Sequence, residues 1–516
     1  MLDHGLSGRP CPFSPSNVMR TRTLVPAVTC AVLLALLSPV AGRGQNAAAG
    51  DSAGSHDVWI LDAHDEALAH RLELIDAATH SVDFSTFIVE EDPVALDVLH
   101  HLGDAAQRGV RVRLLLDGQF NRLSRGTMAF LVGQGVEIRQ YQPFRWYKAL
   151  WFFNRLHDKL LLVDTGCPPV GSADPSSERS TGPQVGQMIL GGRNLSQPYF
   201  GIAGRLPRAY VDRDLRVDGP VTADACRYFE RLWGSSQTRF PRLGWKHPEH
   251  TLADCERRSA FERGRCRRGL RQRAQALREA RALFREAHET SAHPSLSTAS
   301  EARRVTGPVA FLNDPVGAKE LDIPIVHRLL PDPPRIGPEL LRWFATTERE
   351  IVIESPYLVP SRGFRRALSR LRDRDVDVRI LTNSLLTTDN LVPQAAYRNA
   401  QEALLESGVD LWEYAGAESM HAKSAVIDDR ISIVGSYNLD PRSEHLNTEI
   451  AVVIEDAAFA RALRKSLDAR LEQSWQLGPN GIVGSTDGVR YPGVSRGKIC
   501  KMTLLRLVTP LLRRQI

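Results

Sequence analysis

Cysteine is scarce, with seven in 516 residues. Two fall in a leader-like segment, which leaves Cys167, Cys226, Cys255, Cys266 and Cys500. Five is too few and odd in number, which excludes a fold built on disulfides. Cys255 and Cys266 are candidates to pair in an oxidising compartment. No Cys/His cluster has zinc spacing, so no metal is expected. No strong excess of either charge is present: 66 Lys and Arg against 60 Asp and Glu give +6 and a pI near 9.0. That balance suits anionic partners and does not choose between phospholipid head groups and nucleic acid. Long apolar runs are missing too. Residues 19–43 carry Arg20 and Arg22, a short interrupted core at Leu33–Leu37 and small residues at Val40-Ala41-Gly42. That reads as a secretory signal, too short for a membrane span of about 20 residues. Residues 1–43 are therefore expected to be an over-extended start, with Met19 the initiator, plus a signal peptide. An uncleaved anchor is the alternative.

What remains is ordinary for a globular chain: 42% hydrophobic and 24% charged, with length for two to four domains. Its organising stretch is MHAKSAVIDDRISIVGSYNLDPRSEHLNTEIAVVIED, residues 420–456. His421 and Lys423 alternate onto one face. SAVID is apolar enough for a buried strand, and Asp428, Asp429 and Arg430 read as a tight turn. ISIVGSYN then returns, bringing Asn438 back beside His421 and Lys423. Gly435 permits close backbone approach. An imidazole, an ammonium and an amide on one surface suit holding and attacking a phosphate.

The pattern occurs once earlier. LHDKLLLVD carries His157, Lys159 and Asp164, and MILGGRNLS places Asn194 where the later copy has Asn438. The two histidines are 264 residues apart. REIVIESPYLVP, VDVRILTNS and GVDLWEYAG repeat HSVDFSTFIVEED, VRVRLLLDG and GVEIRQYQP at similar offsets, so the chain contains an internal duplication. H-x-K-x4-D followed by G-G/S-x-N, twice over, resembles the phospholipase D superfamily. VDFSTFIVEED, ILTNSLLTTDN and VGSYNLDPRSEHLNTE resemble its bacterial cardiolipin synthase-like branch. The resemblance covers residues 56–480.

β-α-β-β patterning in each half predicts an α/β fold of two similar layered lobes, residues 56–244 and 306–480. The resemblance implies a pseudo-two-fold axis with the active site between them. Residues 245–305 are an arginine-rich helical connector, either solvated or an anion-binding patch. Residues 167–186 read as a loop grown from the first hairpin tip. Arg145 to Phe153, with Trp146 and Trp151, form an aromatic-basic cluster fit for a lipid groove or for ordinary packing. The tail, 481–516, turns amphipathic, suited to an interface or to packing on the body.

His157, Lys159, Asp164, His421, Lys423 and Asp428 are the candidate catalytic motif residues. Asp164 and Asp428 sit at strand ends and read as holding the turns. Asn194, Ser436 and Asn438 are candidates for binding phosphate. Glu449 and Asp214 open similar strands and match the family's orienting carboxylates, with Asp212 the alternative register. By resemblance, one histidine forms a phosphohistidine and the other is the acid/base. His157 is taken as nucleophile in a nearly symmetric pattern. The implied activity is phosphatidyl transfer of the cardiolipin synthase type, on phosphatidylglycerol with phosphatidylethanolamine as a second candidate. A phospholipase D hydrolase and an exported endonuclease are the alternatives. Two motifs in one chain imply a monomeric catalytic unit at a membrane surface, acting on lipid rather than nucleic acid. Export implies the periplasm or the outer face of the inner membrane. No cofactor is called for.

Overall fold

The computed structural model describes residues 54–143, 154–166, 186–201, 209–243, 252–256, 259–291, 301–316, 335–479, 481–483 and 492–512. The leader, the Trp146–Trp151 cluster and nearly all of the loop after the first motif lie outside them.

The first lobe has seven principal strands: β1 (His56–Leu61), β2 (Ser81–Thr86), β3 (Arg111–Asp117), β4 (Glu137–Tyr141), β5 (Leu160–Val163), β6 (Gln187–Gly191) and β7 (Asp214–Asp218). Its helices include α1 (His64–Ala77), α2 (Pro93–Gln107), α3 (Arg125–Gln134) and α4 (Thr222–Trp233). Helix starts follow local chemistry. Asp92 caps α2, accepting from Ala95 N–H at 2.8 Å ahead of Pro93 in the first turn. A 31-residue helix, α5 (Ala260–Thr290), follows and packs on α2 and α3 of the first lobe.

The second lobe repeats the set as β8 (Val309–Asn313), β9 (Glu350–Glu354), β10 (Asp377–Asn383), β11 (Asp410–Tyr414), β12 (Ser424–Ile427), β13 (Ile431–Gly435) and β14 (Ile450–Glu455). Its helices include α6 (Ile336–Ala345), α7 (Arg362–Arg372), α8 (Leu391–Glu406), α9 (Ala457–Leu471) and α10 (Arg496–Val508). The sheet orders are β4-β3-β2-β5-β6-β7-β1 and β11-β10-β9-β12-β13-β14-β8, so each strand matches the one seven places on. The duplication read from sequence is a duplicated sheet.

One boundary needs correction. Arg303–Val305, assigned to the connector, pairs antiparallel with β1 and closes the edge of the first sheet. The edge of β1 would otherwise expose unpaired backbone. At the far edge of the second sheet, Ser474–Gly478 and Gly481–Ile482 add two strands beyond β11. Cys255 and Cys266 are disulfide-bonded, and Cys226 is also in a disulfide.

The motif strands are buried on both faces. In β5, Leu160 and Leu162 enter a central core while Leu161 and Val163 enter an outer one. The central core is shared: Leu215, Val217, Tyr228 and Phe229 of the first lobe pack with Phe311, Val452, Phe459 and Leu463 of the second. Ionic groups lock the lobes as well. Arg213 donates to Asp62 Oδ1 at 2.8 Å, to Ser424 Oγ at 2.6 Å and to Glu354, while Arg470 donates to Glu354 Oε2 at 2.6 Å and Asp62 Oδ1 at 3.0 Å. Each buried charge therefore has partners of opposite sign on both sides.

Candidate active site

Both hairpins form as the pattern requires. Asp164 and Asp428 take left-handed backbone (φ 49° and 53°), a conformation aspartate tolerates. Asp164 accepts from the N–H groups of Thr79, His80 and Ser81 at 2.8–2.9 Å. Asp428 accepts from Glu348, Arg349 and Glu350 at 2.8–3.0 Å. Both aspartates thus pin the start of β2 or β9 to the hairpin tip. The motif strand separates them from the histidines, so of the six motif residues four enter the site and these two do not.

Two very short parallel ladders join the lobes and set the site. Arg155–Leu156 pairs with Asn447–Thr448, with Leu156 opposite Thr448. Tyr210–Val211 pairs with Ser419–Met420, with Val211 opposite Met420. The next residue on each strand then faces its counterpart across the lobe boundary. His157 Nδ1 lies 2.9 Å from Glu449 Oε2, and His421 Nδ1 lies 2.7 Å from Asp212 Oδ2. Each imidazole is oriented by a carboxylate of the opposite lobe.

Asp214, the expected partner, is corrected by this register. It is fully buried and accepts from Arg71 Nη2 at 2.8 Å and Arg193 Nη1 at 3.2 Å. The expectation aligned strand beginnings. The ladders align differently: Gly191 faces Asp214 where Gly435 faces Ala451, which puts Asp212 in the place of Glu449.

Ser436 is also corrected. Its hydroxyl donates to Glu449 Oε2 and accepts from Ile450 N–H at 3.1 Å, so it holds the carboxylate and has no proton left for phosphate. Ser443 Oγ donates to the other oxygen of Glu449 at 2.7 Å. In the first lobe Gly192 replaces Ser436, and a Cβ there would sit 1.9 Å from Asp212 Oδ1. The shorter Asp212 needs that space. Gly192→Ser, which copies the second motif, is therefore expected to displace Asp212 and lower kcat about 10²-fold or more with little change in KM. Wild-type kcat in that variant would refute the steric role.

Among the predicted phosphate ligands, Asn194 accepts from Ile88 N–H through Oδ1 at 3.1 Å, which leaves its NH₂ as donor. Asn438 Oδ1 is buried with no partner. Lys159 Nζ donates to His157 O at 2.7 Å, and Lys423 Nζ to His421 O. Lys423 Nζ also lies 3.2 Å from His421 Nε2. The histidines, lysines and both orienting carboxylates are all under a tenth exposed. Sequence reasoning missed the aromatic walls. Phe87 stands edge-on to His157 at 5.0 Å, and the stacked pair Tyr199 and Tyr210 stands edge-on to His421 at 5.2 and 5.6 Å. Nothing in those residues' local sequence marks them.

Burial lowers His157 to about 3 and also lowers His421, despite the carboxylates beside them. Burial acts to raise Glu449, but His157, Lys159 and the Ser436 hydroxyl outweigh it and hold the group near 2. Asp212 is likewise lowered, its burial outweighed by His421 and Lys423. Ionised carboxylates only accept, so each imidazole carries its proton on Nδ1 and keeps a lone pair on Nε2, which in His421 faces Lys423 Nζ. Burial, then the neighbouring Lys423, lowers Lys159 to about 7; burial lowers Lys423 to about 8. Both lysines lose charge as pH rises through those values, so the anion site is cationic only below them. kcat/KM, which reports the free enzyme, should fall above pH 8, with the fall in kcat displaced upward because bound phosphate favours the charged lysines. A flat kcat/KM profile from pH 7 to about 9.5 would contradict this.

The comparisons with known proteins place the chain in a family. The family model described as the PLD-like domain of cardiolipin synthase matches residues 72–233 and 340–471. Cardiolipin synthase C of Escherichia coli is 28% identical over 464 residues, covering 82% of this chain and 87% of that one. An uncharacterised Helicobacter pylori protein is 27% identical over 448 residues, covering 81% and 80%. The crystal structure of Haemophilus influenzae phosphatidylserine synthase shares the fold, with a TM-score of 0.57 at 15% identity over 89% of this chain and 95% of that one. With more than half of its residues matched by that family model, the chain belongs to the phospholipase D superfamily, in the bacterial cardiolipin synthase-like branch.

Proposed function

We propose that this chain is a phosphatidyltransferase of the cardiolipin synthase type, acting through a phosphohistidine. The observation that carries the reading is the crossed pair of imidazoles, each held by the other lobe's carboxylate beside two buried lysines. Phosphodiester exchange needs a nucleophile, a proton donor and compensation of equatorial charge, and this set supplies all three.

His157 Nε2 attacks phosphorus and the P–O bond to the leaving alcohol breaks. His421, protonated beside the bound phosphate, gives that oxygen its proton. The acceptor hydroxyl then loses its proton to His421 as its oxygen attacks phosphorus, and the P–N bond breaks to restore His157. Lys159, Lys423, Asn194 and Asn438 hold the phosphate oxygens. Phosphatidylglycerol is the donor; its free hydroxyl, or that of a second lipid, is the acceptor. Two closed lobes make one chain the catalytic unit.

Export to the outer face of the inner membrane is part of the same proposal. The Cys255–Cys266 disulfide supports it, since such bonds persist in oxidising compartments. Among the described residues no helix is long and apolar enough to cross a membrane. Helix α10 packs Met502 against Ala395 of α8 and leaves Leu504, Leu507 and Val508 exposed at helical spacing. That face, with Lys501 beside it, supports seating on anionic lipid.

The test is lipid mass spectrometry of a host lacking cardiolipin, with and without this chain. Cardiolipin should appear on expression and depend on His157 and His421. Phosphatidic acid without cardiolipin would instead make the protein a hydrolase, and no lipid change would reject lipid as substrate.

A further inference from the structure

Away from the two-lobe cleft, three side chains far apart in sequence converge where α5 packs on α2. Asp97 Oδ1 lies 3.0 Å from His288 Nδ1 and 3.9 Å from His101 Nε2, and the three ligand atoms all lie within 4.8 Å of one another. Asp97 and His101 are one helical turn apart on α2, and His288 is in the last turn of α5. We propose that Asp97, His101 and His288 form a zinc-class metal site that staples the end of the connector helix to the first lobe.

The donor set is chemically suited. Two imidazoles and a carboxylate bind divalent zinc and its cobalt substitute, and the aspartate offsets part of the ion's charge. A tetrahedral ion with bonds of about 2.0–2.1 Å holds its ligands about 3.3 Å apart, so the widest pair closes by at most about 1.5 Å. His288 is 40% exposed and has the freedom to make that movement, which also gives an ion a route in. The surrounding shell is that of a metal ligand. His101 Nδ1 lies 2.6 Å from Asp76 Oδ1 of α1, a carboxylate partner that fixes the ring and aims Nε2 at Asp97. Three helices therefore meet at the cluster.

Helix α5 has reason to need a staple. Among its described side chains only Ala280, Phe284 and Ala287 are buried hydrophobics, while Arg265, Arg267, Arg268, Arg271, Arg278 and Arg281 are exposed on one helix. A thin apolar stripe under a run of like charge holds weakly. The N-terminal end is fixed by the Cys255–Cys266 disulfide and by Ser259, whose hydroxyl accepts from Glu262 N–H as the N-cap. The metal would fix the C-terminal end. Helices α2 and α5 supply no active-site residue, so the role is structural.

The experiment uses the purified chain stripped with chelator and titrated with cobalt(II), then zinc. One cobalt per chain should bind with a d–d absorption band that zinc abolishes, and zinc should raise Tm until one equivalent is bound. His288→Ala, at a half-exposed position that spares the buried Asp97, should lose the band and the zinc-dependent rise in Tm. His80→Ala, an exposed histidine outside the cluster, should keep both. Absence of a saturable one-to-one band, or a band that survives His288→Ala, would overturn the site. Initial rates on short-chain phosphatidylglycerol should be unchanged by EDTA while Tm falls. Complete loss of rate restored by zinc would place the metal in the reaction and overturn the structural role.

Discussion

His157→Ala and His421→Ala should each lower kcat by about 10³-fold or more, because nucleophile and acid/base are both needed in every cycle. The two variants should then differ. With an activated phosphodiester whose leaving group needs no acid, His421→Ala should still accumulate an acid-labile phosphoenzyme, labelled on His157. His157→Ala should trap none. The two imidazoles are equivalent in setting: both are buried, lowered by that burial and oriented through Nδ1, so the labelled residue assigns the roles. Label found on His421 in the wild type would reverse the roles. Full activity in either single variant would reject the paired site altogether.

The second large effect separates two aspartates only two residues apart. Asp212→Asn should lower kcat about 10²- to 10⁴-fold while leaving Tm nearly unchanged, since an amide can present its NH₂ to Nδ1 and trap the wrong tautomer of His421. Asp214→Asn should do the reverse. It removes the negative charge between buried Arg71 and Arg193, at a cost of about 3–5 kcal/mol, and touches neither histidine. Thermal unfolding and single-turnover rates on the same two proteins decide the matter. A catalytic defect without loss of stability in Asp214→Asn would overturn the register.

Much of this was legible along the chain. The two H-x-K-x4-D hairpins, the turn at Asp428 and Asp429 and the repeated strands are local patterns, set by alternation, turn chemistry and spacing. The notion that Asp164 and Asp428 hold turns also followed from their place at strand ends, and the backbone N–H groups they cap lie at the start of the neighbouring strand. The closing of the first sheet by Arg303–Val305 was hidden, because three residues after a long helix carry too little pattern to announce a strand.

The orienting carboxylates mark where sequence stops. Glu449 and Asp214 both open apolar strands, so a reading by strand starts chooses them together. Which carboxylate meets which histidine depends on parallel ladders of two residues each, formed between lobes, with partners 209 and 292 positions apart. The Asp97–His101–His288 cluster is hidden for the same reason, since 191 residues separate Asp97 from His288. The sequence by itself determined the duplicated fold, the four motif side chains and the phosphate chemistry they suit, because these depend on neighbours a few residues apart. Only the tertiary structure decided that each histidine is served by the other lobe and that Gly192 makes room for Asp212. Those relations exist only once the two sheets are packed around their shared core.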